Sequence, residues 1–496
     1  MSLKRNIFAN YLGQAWTALM GLAFVPIYVR HLGVEAYGLV GFYAVLQACL
    51  VLLDMGITQT LGREMARYTA GQRSAPSIQT LLRSIEWVGA GTATILCAAI
   101  WLGASWLASH WIHPQTLAIP EIESAIAAMA FIIAIRLLEG LYRGGLLGLQ
   151  QQVLSNVLGA ALATVRWGGA AIIVVWWHPS ITAFFAWQAA VSAVGTLVYR
   201  LILVRTLPAR GSRTTFSFGA LMEVRHFTGG MLTTAALALL LTQSDKLLLS
   251  RILSLEAFGY YTLATLVSNA LYQVVGPITQ ALYPRLTELA AQGNSTDLAG
   301  TYHLGAQLMS VFLIPPALLL MVFGQDFLHV WTGDMVLALK VAPVLALLAL
   351  GTMLNGLMGM PHMLQLAHGW SGFAARLNLV AVVLLLPLIV WVAPRYGTIG
   401  TAWVWVALNI GYVLVGIHYM HRRLLSREKW RWYWHDTALP VLPAVCIMAL
   451  SQLLHPAGLG QLTQWCWLLG TTALAWLAAG MGASAVRQRI TKIWST

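Results

Sequence analysis

The sequence predicts an all-α polytopic membrane protein of about 14 transmembrane helices. Two parallel six-helix lobes are followed by two further helices at the C-terminus. Three observations carry this prediction. The 496-residue chain is 59% hydrophobic and only 9% charged, against roughly 25% charged in a soluble domain. Its apolar residues come in runs of about 20, the length that crosses a bilayer. Its 29 Lys and Arg fall on alternate loops, about 22 on one side, roughly 3 on the other and about 4 inside spans.

A positive excess in short loops marks the cytoplasmic side, which therefore holds the crowded loops and both termini. The first span is read at 6–30. Lys4 and Arg5 before it resemble a signal-peptide n-region, but the apolar run is too long and lacks an A-x-A site, so a retained helix is expected. The second span, 36–62, runs into Arg63, Arg67, Arg73 and Arg83. The third and fourth are 80–108 and 122–146, the latter ending near Arg143. His178-Pro179-Ser180 parts the fifth, 150–177, from the sixth, 181–204. Next comes a basic linker, 206–225, flanked and filled by Arg200, Arg205, Arg210, Arg213 and Arg225. Spans seven and eight, 226–250 and 256–283, lead to Arg285. Spans nine to twelve are 301–324, 335–360, 370–393 and 398–421. Arg395 lies between the last two and, with Arg30 and Arg251, supplies the sparse side. Arg422, Arg423, Arg427, Lys429 and Arg431 then precede spans 437–455 and 462–484, parted by His455-Pro456-Ala457-Gly458, and Arg487, Arg489 and Lys492 follow. Trp106, Trp111, Trp176, Trp177, Trp331, Trp391, Trp430, Trp432 and Trp434 stand at span ends, as an interfacial belt requires. The division is thus an N-lobe at 1–205, the linker, a C-lobe at 226–424, and 425–496 with the last two spans and a basic tail.

The two lobes are inferred from a repeat. Shifted by about 221 residues, Arg30-x-Leu32-x-x-Glu35-Ala36-x-Gly38 falls on Arg251-x-Leu253-x-x-Glu256-Ala257-x-Gly259. Without a gap, Ile57-Thr58-Gln59-x-Leu61 then falls on Ile278-Thr279-Gln280-x-Leu282. A shift of an even number of spans keeps orientation, so the repeat is parallel, and such lobes enclose a path near the midplane.

A charge inside hydrocarbon costs about 2.5–3.5 kcal/mol on insertion scales, so each embedded one needs a reason. Arg136, Glu139 and Arg143 are spaced i, i+3, i+7 on one helical face. They read either as a polar cavity wall or as an ion pair near the helix end. Arg166, near the middle of the fifth span, must face water, a carboxylate such as Glu139 or Asp54, or a bound anion. Asp54 either couples to a proton or sodium ion or pairs with Arg136 or Arg166. Asp245 and Lys246 are helix neighbours about 100° apart, so each needs a partner elsewhere. Lys340 either snorkels outward or binds. Arg30/Glu35 and Arg251/Glu256 read as an external gate for an anion or as structured turns helped by Gly33, Gly38 and Gly259. Pro26 and Pro277 interrupt spans and serve as hinges or static kinks; Pro315-Pro316 and Pro387 do the same. Gly140, Gly144 and Gly148 have the spacing of a packing seam.

Several classes are excluded. Cys49, Cys97, Cys446 and Cys466 lie in apolar runs without CxxC spacing, so no disulfide framework or metal site is expected. The net charge of +13 belongs to helix ends facing the phospholipid bilayer rather than to a nucleic-acid groove. There is no P-loop, HExxH, GxSxG or DxD motif, so neither an enzyme nor a bound cofactor is expected. Transport without an ATP site draws on an ion gradient, on the membrane potential or on product removal.

Six stretches carry a family likeness. Asn10-Tyr11-Leu12-Gly13-Gln14-x-Trp16 opens the chain. His31-Leu32-Gly33-Val34-Glu35-Ala36-Tyr37-Gly38-Leu39 and Leu53-Asp54-Met55-Gly56 follow, with Leu61-Gly62-Arg63-Glu64-Met65-Ala66-Arg67 behind them. Leu141-Tyr142-Arg143-Gly144-Gly145-Leu146-Leu147-Gly148-Leu149-Gln150 and Asp245-Lys246-x-x-Leu249-Ser250 complete the set. In order, they resemble Wzx-type polysaccharide flippases of the multidrug/oligosaccharidyl-lipid/polysaccharide (MOP) superfamily, most clearly over residues 1–290. The resemblance implies a MATE-like pair of six-helix lobes plus two helices in a bacterial inner membrane. It implies an undecaprenyl-pyrophosphate-linked oligosaccharide as substrate, other polysaccharide-assembly membrane proteins as partners, and ion antiport as the drive. Arg136, Arg166, Lys246, Arg30 and Arg251 would then form a cationic path, with Asp54, Glu139 and Asp245 for ion coupling or charge balance. The alternatives are a drug or cation efflux antiporter, a lipid II-type flippase, and a membrane glycan polymerase.

Overall fold

The computed structural model describes residues 3–54, 57–207, 216–222, 239, 243–456 and 458–494. Most of the seventh predicted span, together with Met55, Gly56, Arg210, Arg213, Arg225, Ala457 and the side chains of Lys4, Arg5 and Lys492, lies outside the described residues. Every regular element among the described residues is helical. Nine described helices are long and apolar enough to cross a membrane. The longest such segment, Gly372–Leu424, has 53 residues, about two bilayer thicknesses. Gly397, at φ 59°, breaks it between the eleventh and twelfth predicted spans.

Several predicted boundaries move, each for a local reason. The first span ends early, because the helix Leu3–Ala23 stops and a new one, Val25–Leu53, begins. Pro26 has no N–H for the Leu22 carbonyl and crowds it. The expected loop before the second span shrinks to one non-helical residue, Gly33, at φ 85°, a conformation open to glycine. The second span ends at Leu53, and a separate helix, Ile57–Thr69, follows. Asp54 accepts hydrogen bonds from the backbone N–H and the hydroxyl of Thr58, the latter at 2.7 Å. A carboxylate there satisfies the free N–H groups of a helix start. The eighth predicted span is two helices, Leu255–Asn269 and Tyr272–Ala291. Pro277 cannot bond to the Gln273 carbonyl, and the preceding turn tightens into i→i+3 bonds, Gln273 to Ala270 and Val274 to Leu271.

The chain forms two compact units, Met1–Gly259 and Tyr260–Thr496. Residues 250–259 pack into the first unit. The Leu255 N–H donates to the His113 carbonyl (2.9 Å), and Trp111 Nε1 donates to Ser250 Oγ (3.1 Å). Repeat-related residues meet here in exchanged pairs. A Cβ on Gly38 would meet Leu255 Cδ1 at 2.9 Å, and one on Gly259 would meet Val34 Cγ1 at 3.0 Å. The shift that maps Gly38 onto Gly259 also maps Val34 onto Leu255. The contact is thus locally two-fold, each partner offering the same pair of residues.

In the first unit, the helix Ile57–Thr69 lies on Ile119–Gly148 through small residues. A Cβ on Gly144 would meet the Thr58 carbonyl at 2.9 Å, and one on Gly148 would meet Met65 Cβ at 2.8 Å. Close approach through glycine is how membrane helices gain van der Waals contact. Beside this seam lies a core of Leu61, Met65, Ile78, Leu81, Ile85, Leu141, Leu146, Tyr199 and Leu203.

Candidate functional site

The first unit contains a charged group inside its helix bundle. Helix Ile119–Gly148 carries Arg136, Glu139 and Arg143. The chain reverses through Gln150, at φ 59°, and Gln152–Trp176 returns Arg166 alongside. Arg166 Nη2 lies 3.2 Å from Glu139 Oε2; Arg166 is buried and the Glu139 side chain is 13% exposed. Arg166 Nε is buried with no hydrogen-bond acceptor among the described residues. Arg136 Nη1 donates to the Tyr43 hydroxyl at 3.4 Å, from helix Val25–Leu53. Two arginines against one glutamate leave one net positive charge. Arg143 is exposed at the helix end.

A fourth helix, Ile181–Thr206, adds a buried polar stripe, Gln188, Ser192 and Thr196, with Tyr199 below it. The spacing i, i+4, i+8 puts the first three on one face. Thr196 donates to the Ile135 carbonyl (3.2 Å) and Tyr199 to the Ser155 carbonyl (3.1 Å). Gln188 Nε2 and the hydroxyls of Ser192 and Ser155 are buried without partners among the described residues. The sequence reading missed this stripe and Tyr43, although polar residues repeating every fourth place in an apolar span were the available signal. Four helices therefore surround a polar interior that carries positive charge and spare donors.

Two further acids anchor arginines nearby. Buried Glu64 takes Arg73 Nε at 2.6 Å and Arg67 Nη1 at 3.3 Å. Glu86 joins Arg83 (3.1 Å), Arg200 (2.9 Å) and the Tyr142 hydroxyl (3.1 Å). These three and Trp87 line a cavity of about 260 Å³. Its walls Ala90 and Leu138 continue into an apolar cavity of about 380 Å³.

The remaining predicted residues lie elsewhere. Asp54 is the cap described above. Arg30 is exposed, and Arg251 lies over the Trp111 ring at 5.1 Å. Glu35 is buried and accepts from the backbone N–H of Thr116 at 2.9 Å, so it pins a turn. Asp245 and Lys246 are half-buried, and each is engaged with other groups. Lys340 is exposed over the Tyr260 ring. Pro26 lies beside the helix break already described, and Pro277 lies inside the helix Tyr272–Ala291. In the second unit, Asn355 accepts from the Tyr272 hydroxyl at 2.9 Å and donates to Asn409 at 2.8 Å. No group of three or more His, Cys, Asp or Glu among the described residues is placed to hold a metal ion.

A family model described as "Polysaccharide biosynthesis protein" matches residues 3–290. The chain belongs to this family. A relative from Shigella flexneri, named "Putative O-antigen transporter", is 20% identical over 418 residues, covering 82% of this chain and 94% of the relative. Among solved structures, a lipid II flippase MurJ in an inward closed conformation aligns with a TM-score of 0.71 at 11% identity, covering 96% of this chain and 98% of that one. An inward-facing multidrug resistance MATE family transporter of the MOP superfamily aligns with a TM-score of 0.65 at 12% identity, covering 83% and 96%. At those identities the likeness is one of fold. This polysaccharide biosynthesis family member is a multi-pass membrane protein with the MOP transporter fold, and the proteins it resembles are transporters and flippases rather than catalysts.

Proposed function

We propose that this chain is a flippase for an undecaprenyl-pyrophosphate-linked oligosaccharide, the repeat unit of an O-antigen or similar surface polysaccharide. It moves the unit from the cytoplasmic to the periplasmic leaflet of the bacterial inner membrane by alternating access, drawing on an ion gradient. The observation that carries this reading is the Arg136–Glu139–Arg166 group inside the helix bundle, with one positive charge in excess and the Arg166 Nε without an acceptor among the described residues. Each embedded guanidinium is costly, and one glutamate offsets only one of two. A pyrophosphate offsets both, and the planar fork of arginine matches phosphate oxygens in pairs.

Glu139 then has a definite task. It holds Arg166 while the site is empty, yields it to the incoming pyrophosphate, and reclaims it on release. The glycan sits among the donors of Gln188 and Ser192, and the prenyl chain stays in the bilayer. Lys246, Arg30 and Arg251 extend the path, and Asp54 or Asp245 joins Glu139 as an ion-coupling candidate. The Shigella relative's name supports an O-antigen substrate, and the MurJ-like fold supports a lipid-linked one. An efflux antiporter built for organic cations is disfavoured, since cations outnumber acids in this interior.

The test is a strain lacking the gene. We expect loss of surface polymer, with the lipid-linked unit trapped in the cytoplasmic leaflet. The wild-type gene restores export, and Arg166→Ala does not. Normal polymer and normal sidedness, in a host with no second flippase, would overturn the reading and favour drug-accumulation assays.

A further inference from the structure

The second unit holds a cluster of titratable side chains that no sequence motif marked. His303, on helix Ser295–Val322, is 1% exposed, and Asp436 is fully buried. His303 Nδ1 is hydrogen-bonded to Asp436 Oδ2, and Nε2 lies 3.0 Å from Glu428 Oε2. Gln307 Nε2 donates to Asp436 Oδ1 at 2.9 Å, and Gln307 Oε1 accepts from the Ala485 N–H at 2.8 Å. Arg431 Nη1 is 3.5 Å from Glu428 Oε2.

A neutral imidazole has one N–H and one lone pair. Between two carboxylates it can donate to only one, and its lone pair would face the other's oxygen. The geometry therefore requires one more proton, on the ring or shared with a carboxyl group. With that proton the charges close, because His303 and Arg431 carry two positive charges against two negative ones on Asp436 and Glu428. The ring nitrogens point to opposite sides, so a single metal ion bound by both carboxylates cannot replace the proton.

The surroundings define its route. The Glu428 side chain is 25% exposed, whereas His303 and Asp436 are sealed, so exchange runs through Glu428. Other charged and titratable groups stand around the cluster, among them His435 and Arg427, the chain neighbours of Asp436 and Glu428. Tyr302 contacts His421 Nε2 at 3.3 Å, and His421 Nδ1 is anchored on the Ile417 carbonyl. Tyr433 donates to the Val413 carbonyl and Lys429 bonds His418. Arg487 and Arg489 on the C-terminal helix Ser484–Trp494 are exposed. Trp432–Ala438 is wound as a π-helix, a wide winding that often marks functional sites, and it carries Asp436.

We propose that His303, Asp436 and Glu428 form a proton-binding site whose occupancy latches the segment bearing Glu428 to helix Ser295–Val322. When the proton leaves, one lone pair turns toward a carboxylate. Asp436 is held by Gln307, and Glu428 has water to turn to, so the Glu428 arm releases. This site is separate from the charged group of the first unit and does not depend on the nature of the substrate.

The experiment compares purified full-length wild type with Glu428→Gln, whose amide can donate to a neutral His303 and so needs no extra proton. Melting temperatures are followed from about pH 5.5 to about pH 8.5, the range in which histidine exchanges its proton. The proton-bound latch stabilises the folded state, so its contribution is present at the acid end and lost as pH rises. Relative to the variant, the wild type should lose several degrees of melting temperature between the acid and the alkaline end. A gap that stays constant with pH, or no gap at any pH, overturns the proposal. His303→Gln is the second variant and should flatten the wild-type profile in the same way.

Discussion

Arg166 pairs with Glu139 at 3.2 Å yet its Nε has no acceptor among the described residues, so its structural and substrate-directed roles can be separated by substitution. Removing one member of a buried pair strands the other charge, at a cost of about 3–5 kcal/mol. Arg166→Ala and Glu139→Ala should each lower the melting temperature of the purified protein. The double variant keeps the same single excess charge, on Arg136, and much of the loss should be recovered, since coupled residues are not additive. Export should not recover with it, because the double variant still lacks the guanidinium that meets the pyrophosphate. If the double variant exports polymer normally, Arg166 serves folding alone. The sequence named Glu139 and Asp54 as equal partners for Arg166, and only the fold distinguishes them. In an all-apolar span no periodicity tells which way the helix is rotated, so the choice between carboxylates is not legible from spacing. His303 was missed for a different reason. Its partners Glu428 and Asp436 lie more than a hundred positions away, and none of the three falls in a recognisable pattern.

Asp54 shows how an element boundary and a functional reading compete for one residue. Its carboxylate caps the helix Ile57–Thr69, and an N-cap is worth about 1 kcal/mol. Asp54→Asn keeps the cap and removes the charge. Asp54→Ala removes both. If the cap is the whole role, the asparagine variant should match wild type in melting temperature and in export, and the alanine variant should lose about 1 kcal/mol of stability. If Asp54 couples an ion, the asparagine variant should stay stable and lose export. The helix it starts is also held by its seam with Ile119–Gly148. Gly148→Leu would drive a side chain into Met65 and the Gly62 backbone, and overpacking of this kind costs about 1–3 kcal/mol or more. A lower yield of folded protein in detergent, with Gly91→Leu harmless because open space surrounds that position, is the expected pattern. These boundaries were hidden in the sequence because no polar loop marks the breaks at Phe24, Asp54 and Ala270. Pro26 and Asp54 were local signals, and hydropathy does not register them.

At the scale of the whole chain, fold class was legible because hydropathy and cation placement are one-dimensional properties that a bilayer reads directly. The repeat was legible too, and the exchanged contacts Gly38–Leu255 and Gly259–Val34 give it a physical basis that identity among apolar residues could not. Orientation rests on charge alone. A cation near a span end is drawn to the anionic cytoplasmic leaflet by about 1 kcal/mol, so an imbalance of about 22 against roughly 3 across many short loops leaves little freedom. The sparse-side cations Arg251 and Arg395 lie over Trp111 and Trp391, a placement suited to an interface. Both termini should therefore be cytoplasmic, with the Gly397 and Gly458 turns periplasmic. Single cysteines placed at Thr398 and at Gly458, in a chain whose four native cysteines are replaced, should react with an impermeant maleimide added to intact cells. Cysteines at Gly71 and at Gln488 should react only after permeabilisation. Labelling of Gly71 in intact cells would invert the whole topology at once, because an odd or even number of crossings between these points cannot be changed by shifting one helix boundary. It would also place the Glu428 port of the His303 site on the opposite face, and so reverse the side from which that proton is drawn.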